Sequence, residues 1–199
     1  MESLCLDKKH ITIDEIVEVA RENVPVQISP RGEARVAKAR SLISRWVQEK
    51  RVIYGINTGF GALSDVIIST ENITQLQENI LVSHAAGVGK PLPIEVVRAV
   101  MALRIRDLSL GYAGCRTDFL HHLVALLNEG ISPIIPEKGS VGASGDLAPA
   151  AHMGLVLIGR GEAHHKGKRV TGAKALEEID LPPLRLEAGE GLVLINGPR

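Results

Sequence analysis

The most unusual chemistry in this sequence is available to the segment 139–146, which reads GSVGASGD. A main-chain amide nitrogen can attack the carbonyl carbon two residues earlier only where the loop bends sharply and no Cβ blocks the approach. Gly145 would supply that nitrogen and Ala143 the carbonyl, while the hydroxyl of Ser144 could leave as water. The product would be a five-membered ring with an electrophilic exocyclic methylene. The alternative is an ordinary Gly/Ser loop before a helix that Asp146 caps.

Other familiar chemical signatures fail on spacing. A nucleophile elbow around Ser144 needs a glycine two residues later, and Asp146 stands there instead. The segment 59–64 lacks the third glycine of a dinucleotide-binding fingerprint. His121-His122 and His164-His165 are adjacent pairs, and neighbouring side chains on a helix or strand point in different directions. The sequence therefore predicts no metal site.

Composition narrows the classes of partner. The chain has 199 residues, 45% of them hydrophobic, and its 23 basic and 23 acidic residues cancel. No net field attracts nucleic acid or an anionic membrane surface, so we expect a small molecule or another copy of the chain as partner. The two cysteines, Cys5 and Cys115, form no disulfide framework, and the N-terminal residues MESLCLDKKH contain no apolar core of signal-peptide length. These features predict a cytoplasmic protein.

Hydrophobic periodicity predicts a mainly α fold with small β elements. The predicted helices cover residues 13–23, 30–47, 71–86, 93–110, 117–129, the stretch from the GSVGASGD segment to about 159, and 172–179. Thr12 and Glu15 form a capping box before the first of them. Residues 51–58 favour an extended strand that ends at a Gly-rich loop, and 162–170 predict a hairpin turning at Lys166-Gly167.

Four segments together resemble the histidine and aromatic amino-acid ammonia-lyases in order and spacing. They are YGINTGFGAL at 54–63, SHAAGVG at 83–89, GSVGASGDLAPAAHM at 139–153 and EGLVLING at 190–197. The resemblance runs over essentially the whole chain from about Ile11. It implies the N-terminal part of the ammonia-lyase (L-aspartase-like) fold, with the central helical bundle missing. Residues 1–199 would then be one N-terminal lyase segment whose electrophile loop spans 139–149.

The resemblance implies a prosthetic group and a base. Ala143, Ser144 and Gly145 would cyclise to 4-methylideneimidazol-5-one with no added enzyme and no external cofactor. The methylene derived from Ser144 would take up the substrate α-amine and make it a better leaving group. Tyr54 matches the family's catalytic tyrosine, which removes the β-proton. The alternative for Tyr54 is a strand aromatic in the core.

The resemblance also implies a substrate. Asn196 matches the asparagine that contacts the ring and the substrate carboxylate. Ser83 and His84 match the pair that contacts the substrate side chain, and a histidine at this position resembles the histidine-specific members. The alternative for His84 is a core histidine with satisfied hydrogen bonds. The implied reaction converts L-histidine to urocanate and ammonia, and a 2,3-aminomutase using the same electrophile is an alternative.

The end of the chain departs from the family pattern. Members continue after Asn-Gly with Thr, whereas this sequence reads Pro198-Arg199. In the family, central helices supply further site groups and build a homotetramer whose sites mix residues from several subunits. We therefore expect a homo-oligomer, and an isolated chain that is inactive. A truncated, non-catalytic association partner of a full-length lyase is the remaining alternative.

Overall fold

The computed structural model describes residues 2–59, 68, 70–141 and 147–196. Its helices are α1 (Ile13–Arg21), α2 (Pro30–Gln48), α3 (Thr70–His84), α4 (Ile94–Ser109), α5 (Thr117–Asn128), α6 (Leu147–Leu157), α7 (Gly172–Glu177) and α8 (Glu190–Ile195). The predicted mainly α class is confirmed. Within the described ranges, every helix is too short or too polar to cross a membrane.

The strands are short and form three small sheets. β1 (Leu4–Cys5) pairs in parallel with β2 (Val26–Gln27), and β3 (Val88–Pro91) pairs antiparallel with β5 (Pro136–Lys138). The third sheet has the order β4-β6-β7 and contains β4 (Ser132–Pro133), β6 (Glu162–His165) and β7 (Lys168–Thr171). The hairpin predicted over 162–170 is confirmed, with its turn between His165 and Lys168.

Side-chain caps set the starts of three helices, and the capping box predicted at Thr12 and Glu15 is confirmed. The Thr12 hydroxyl accepts from the Glu15 amide at 3.2 Å, and the Glu15 carboxylate accepts from the Thr12 amide at 2.9 Å. Ser29 caps α2 through the Gly32 amide, and Thr171 caps α7. Each cap satisfies an amide that has no partner within its helix.

The strand predicted over 51–58 is wrong, because residues 54–57 form a turn. The Ile53 carbonyl accepts from the Ile56 and Asn57 amides at 3.1 and 3.3 Å. The Asn57 side chain closes the turn by accepting from the Ile53 amide at 2.9 Å and donating to the Arg51 carbonyl at 2.6 Å. A side-chain amide that bonds its own neighbouring backbone outweighs the β-propensity of the apolar residues around it.

Helix α4 lies at the centre of the hydrophobic core. Its Met101 and Ile105 are fully buried, and it packs against α1, α2 and α5. The helix also carries buried arginines. Arg98 donates from Nε and Nη2 to the Val19 carbonyl at 3.2 and 2.9 Å, and from Nη1 to the Leu127 carbonyl at 2.9 Å. These carbonyls belong to the last turns of α1 and α5, where backbone acceptors lack helical partners.

The Asp7 carboxylate connects the N-terminal segment to the start of α2 by hydrogen bonds. Its carboxylate accepts from the Ser29 amide at 2.7 Å, the Ser29 hydroxyl at 2.6 Å, the Arg35 guanidinium at 2.8 Å and the Cys5 thiol at 3.1 Å. Burial opposes ionisation of this carboxyl, but the hydrogen bonds outweigh burial and lower the pKa of Asp7 from 3.8 to about 2.

Replacing Asp7 by Asn should lower the free energy of unfolding by about 2 kcal/mol at neutral pH, since the lowered pKa corresponds to that stabilisation of the charged form. The contribution is complete above the unfolded-chain pKa of 3.8 and is lost as the pH falls towards about 2. Urea unfolding of both proteins across this range measures it. Asp180→Asn is the control, because Asp180 is exposed with φ 53°, a conformation that Asn adopts equally well. An Asp7→Asn variant as stable as Asp180→Asn would contradict the assignment.

Candidate active site

Three helices gather the segments that the sequence singles out. α3, α6 and α8 pack against one another, and Ser83 and His84 lie at the C-terminal end of α3. α6 begins at Leu147, directly after the GSVGASGD segment, and α8 ends beside Asn196. Ala143, Ser144 and Gly145 lie outside the described residues. The helices that carry Ser83 and His84, precede Asn196 and follow the triplet therefore pack into one part of the core.

Ser83 and His84 are held by the backbone of their own helix. The Ser83 hydroxyl donates to the Ile80 carbonyl at 3.1 Å, and Nδ1 of His84 lies 2.8 Å from the same oxygen. A carbonyl can only accept, so Nδ1 carries the proton and the acceptor lone pair of a neutral ring is on Nε2. His84 is half-buried rather than enclosed in the core. The predicted contact of His84 with the substrate side chain, and the alternative of a core histidine, both stay predictions.

His152 of α6 joins the loop after α3 to the neighbourhood of the electrophile segment. Its Nε2 accepts from the Gly87 amide at 3.1 Å. A Cβ on Gly139 would lie 3.0 Å from the Gly87 Cα, and one on Gly87 would lie 3.3 Å from the Lys138 carbonyl oxygen. Both chain segments that flank 142–146 thus contact the loop that follows His84.

The sequence assigned no role to His152, although it lies in the GSVGASGDLAPAAHM segment. Burial lowers the pKa of this imidazole from its usual 6.5. The neutral ring can accept a hydrogen bond at Nε2, whereas the protonated ring cannot. Its position on the helix that follows the triplet could have identified it as a candidate site residue.

Tyr54 lies in the turn 54–57 with 57% of its surface exposed, so it is not a core aromatic. The turn rests against the start of α8, since a Cβ on Gly189 would lie 3.6 Å from Ile56 Cγ1. Ile56 and Asn196 both line a cavity of about 460 Å³. The structure therefore brings the turn that carries Tyr54 and the residue Asn196 to neighbouring parts of one surface.

Buried polar side chains fasten the N-terminal end of α8. The fully buried Gln77 accepts at Oε1 from the Gly191 amide at 2.9 Å and the Leu192 amide at 3.4 Å. Glu190, also fully buried, accepts from Nε and Nη2 of Arg116 at 3.0 and 2.8 Å. The hydrogen bond to Glu190 raises the pKa of Arg116. Sequence reasoning missed these groups.

Arg104 fastens the C-terminal end of α8. Its Nε donates to the Leu194 carbonyl at 3.1 Å, and its Nη2 donates to the Leu194 and Asn196 carbonyls. Arg98 and Arg104 stand on the helical face that also carries Met101 and Leu108. A charged residue at an apolar position of a helix was the signal that could have found both arginines.

Neither cysteine is a candidate nucleophile. Burial raises the pKa of Cys115 to about 12, and burial together with the Asp7 carboxylate raises the pKa of Cys5. A thiol must lose its proton to attack. Among residues 2–59, 70–141 and 147–196, no group of three or more His, Cys, Asp or Glu side chains is arranged to hold a metal ion.

Comparison with known proteins identifies the family to which this chain belongs. A family model described as aromatic amino acid lyase matches residues 11–199, and the chain therefore belongs to the aromatic amino acid lyase family. The histidine ammonia-lyase of Alkaliphilus metalliredigens is 50% identical over 197 residues, which are 99% of this chain and 39% of that protein. The family that the four sequence segments predict is confirmed.

Solved structures agree with this assignment. Histidine ammonia-lyase from Trypanosoma cruzi has a TM-score of 0.90 at 34% identity, covering 99% of this chain and 38% of that one. Pantoea agglomerans phenylalanine aminomutase has a TM-score of 0.90 at 36% identity, covering 96% of this chain and 37% of that one. The chain thus has the predicted ammonia-lyase fold over about two-fifths of the length of these relatives.

Replacing His152 by Leu should lower the free energy of unfolding by about 1 kcal/mol, because the half-buried Gly87 amide loses its acceptor. His152→Gln should cost less, since the side-chain oxygen of Gln can accept. With His152 present, stability should fall as the pH decreases below 6.5, because its lowered pKa means that the folded protein binds this proton less readily than the unfolded chain.

Urea unfolding from about pH 8 to pH 5 measures this slope. The two variants lack the titrating group, so their stability should depend less steeply on pH. An equal slope in His152→Gln and the parent would show that another group titrates.

Proposed function

We propose that this chain supplies the electrophile and substrate-contact segments of a histidine ammonia-lyase, which converts L-histidine to urocanate and ammonia. The observation that supports this best is the packing of α3, α6 and α8 against one another. α3 carries Ser83 and His84, α6 begins directly after residues 142–146, and α8 ends directly before Asn196. Residues 1–199 act in this proposal as one N-terminal lyase segment with its electrophile loop at 139–149.

We propose that Ala143, Ser144 and Gly145 cyclise to 4-methylideneimidazol-5-one. Both flanks of the triplet meet at the same loop: a Cβ on Gly139 would lie 3.0 Å from the Gly87 Cα, and His152 accepts from the Gly87 amide. Once formed, the ring would supply an electrophilic carbon for the substrate amino group.

The remaining candidates divide binding and proton transfer between them. The phenol of Tyr54 is exposed in its turn and is the proposed base that removes the β-proton. The carboxamide of Asn196 can donate to the substrate carboxylate. Nε2 of His84 can accept from the imidazole N–H of L-histidine, and the side chain of phenylalanine offers no such donor. Ser83 lies beside His84, with its Oγ 3.1 Å from the ring nitrogen Nδ1.

We also propose a homo-oligomer in the cytoplasm. Large apolar side chains are exposed on the described surface, with exposed fractions of 82% for Ile13, 53% for Leu103 and 47% for Ile94. Burial of such side chains between copies would stabilise an assembly. Both cysteines are free thiols, which suits a reducing compartment.

Activity can be tested in a hybrid enzyme in which residues 1–196 are followed by the C-terminal remainder of the Alkaliphilus metalliredigens relative. We expect it to form urocanate from L-histidine and to leave L-phenylalanine unchanged. Formation of a β-amino acid would establish the alternative 2,3-aminomutase, which the similarity to the Pantoea enzyme keeps open. A folded, oligomeric hybrid with a complete ring and no turnover would support the non-catalytic association partner instead.

Ring formation can be tested by intact mass. The hybrid should weigh less than its encoded sequence by two water molecules, one from ring closure at the Ala143 carbonyl and one from the Ser144 hydroxyl. Ser144→Ala should lack the dehydrated mass and abolish turnover, because without that hydroxyl the electrophilic methylene cannot form. Ser140→Ala is the matched control: its serine lies in the same segment but outside the triplet, so the dehydrated mass should persist. Turnover by the Ser144→Ala hybrid would exclude the proposed electrophile.

Replacing Tyr54 by Phe should spare the ring and lower kcat by roughly 10²–10⁴-fold, the usual contribution of a positioned general base. Only one phenolic oxygen changes, and the residue is more than half exposed, so the aromatic ring and its packing are retained. Steady-state kinetics with L-histidine, accompanied by intact mass, measures both effects. A kcat close to that of the parent would assign the base to another residue.

A further inference from the structure

Asn196 is held through its backbone on both sides. It is the C-cap of α8, with φ −77° and ψ 130°, so the chain leaves the helix at this residue. Its amide donates to the Leu192 carbonyl at 2.9 Å, and its carbonyl accepts from Nη2 of Arg104. With both peptide groups held, the direction of its Cα–Cβ bond is set.

The Arg104 guanidinium suits this task. Its side chain is 7% exposed, and the same fork that reaches Asn196 also donates to the Leu194 carbonyl from Nε and Nη2. A cation beside the C-terminal carbonyls of a helix is favoured by the helix dipole as well as by these hydrogen bonds. Asp107 on the next turn of α4 lies 3.3 Å from Nη1 and orients the fork.

We propose that Arg104 is a positioning residue, which acts on the reaction by fixing the place of Asn196 at the end of α8. This rests on the proposed function, in which Asn196 contacts the substrate carboxylate. Arg104 and Asn196 also line the same cavity of about 460 Å³, together with Ile56 from the turn that carries Tyr54. A small rotation of the last turn of α8 would therefore move the Asn196 carboxamide relative to Tyr54.

Arg98 provides a matched control on the same helix. It is 4% exposed and also donates to carbonyls in the last turns of helices, those of Val19 and Leu127. Neither α1 nor α5 carries a candidate site residue. Loss of the guanidinium fork at Arg98 therefore reproduces the cost in stability without displacing Asn196.

The experiment compares Arg104→Lys with Arg98→Lys in the hybrid enzyme. Lysine keeps the charge but cannot donate along two directions in one plane, so each variant loses its paired hydrogen bonds. Both should retain the dehydrated mass and show similar decreases in thermal stability. We expect kcat to fall by roughly 10- to 100-fold in Arg104→Lys with a smaller change in KM, because a displacement of about 1 Å at a reacting group has effects of this order. In Arg98→Lys, kcat should remain within about two-fold of the parent.

Two measurements distinguish a specific effect on the position of Asn196 from a general loss of stability. Amide hydrogen exchange in residues 191–196 should accelerate in Arg104→Lys and stay unchanged in Arg98→Lys, in the 199-residue chain as well as in the hybrid. In a double-mutant cycle, Arg104→Lys should add little further loss of kcat once Asn196 is replaced by Ala, because both changes act through one group.

The proposal would be overturned by an Arg104→Lys enzyme with parental kcat, by equal losses in Arg98→Lys, or by additive losses in the cycle. A parent hybrid without turnover would refute the proposed function, whereas the exchange comparison would still test the restraint of α8. Should Arg104→Lys fail to fold, Asp107→Asn loosens the same fork, and unchanged exchange at 191–196 in that variant would equally refute the proposal.

Discussion

Three arginines of α4 hold other parts of the chain in place by donating hydrogen bonds to backbone carbonyls of α1, α5, α8 and the segment before α1. A helix end presents acceptors without intrahelical partners, and burying such groups unpaired costs several kcal/mol. Arg98 pairs with the ends of α1 and α5, Arg104 with the end of α8, and Arg106 with the carbonyls of Leu6, Lys8 and Lys9. Burial lowers the pKa of Arg98, but the ordinary pKa of a guanidinium is so high that it stays charged and keeps its donors.

Small residues then allow α3, α6 and α8 to approach closely. A Cβ on Gly191 of α8 would lie 2.5 Å from the Gln77 carbonyl of α3, and one on Gly154 of α6 would lie 2.3 Å from Leu194 of α8. The glycines serve packing here, since neither has a positive φ. Because the three helices share one interior, the short α8 is held at both ends, although a helix of six residues would not be stable alone.

The site on this scaffold combines local and distant restraints. Ser83 and His84 are oriented by a carbonyl within their own helix, whereas the loop after them is tied to His152 of a helix more than sixty residues later. Similarity both to a histidine ammonia-lyase and to a phenylalanine aminomutase agrees with a scaffold that is shared while a few side chains decide the chemistry. In the proposed function, the choice of substrate therefore depends on side chains such as His84 rather than on the fold.

The local order of residues determined the family, the helices with their caps, and the identity of the candidate residues, because periodicity, capping boxes and short motifs are properties of neighbours in sequence. It misjudged residues 51–58, where the apolar pattern indicates a strand but Asn57 bonds the backbone into a turn. Tertiary structure alone decided that Arg104 holds the end of α8 and that His152 accepts from Gly87. These contacts join residues 90 and 65 positions apart, and no local pattern specifies which distant carbonyl or amide a buried polar side chain will meet.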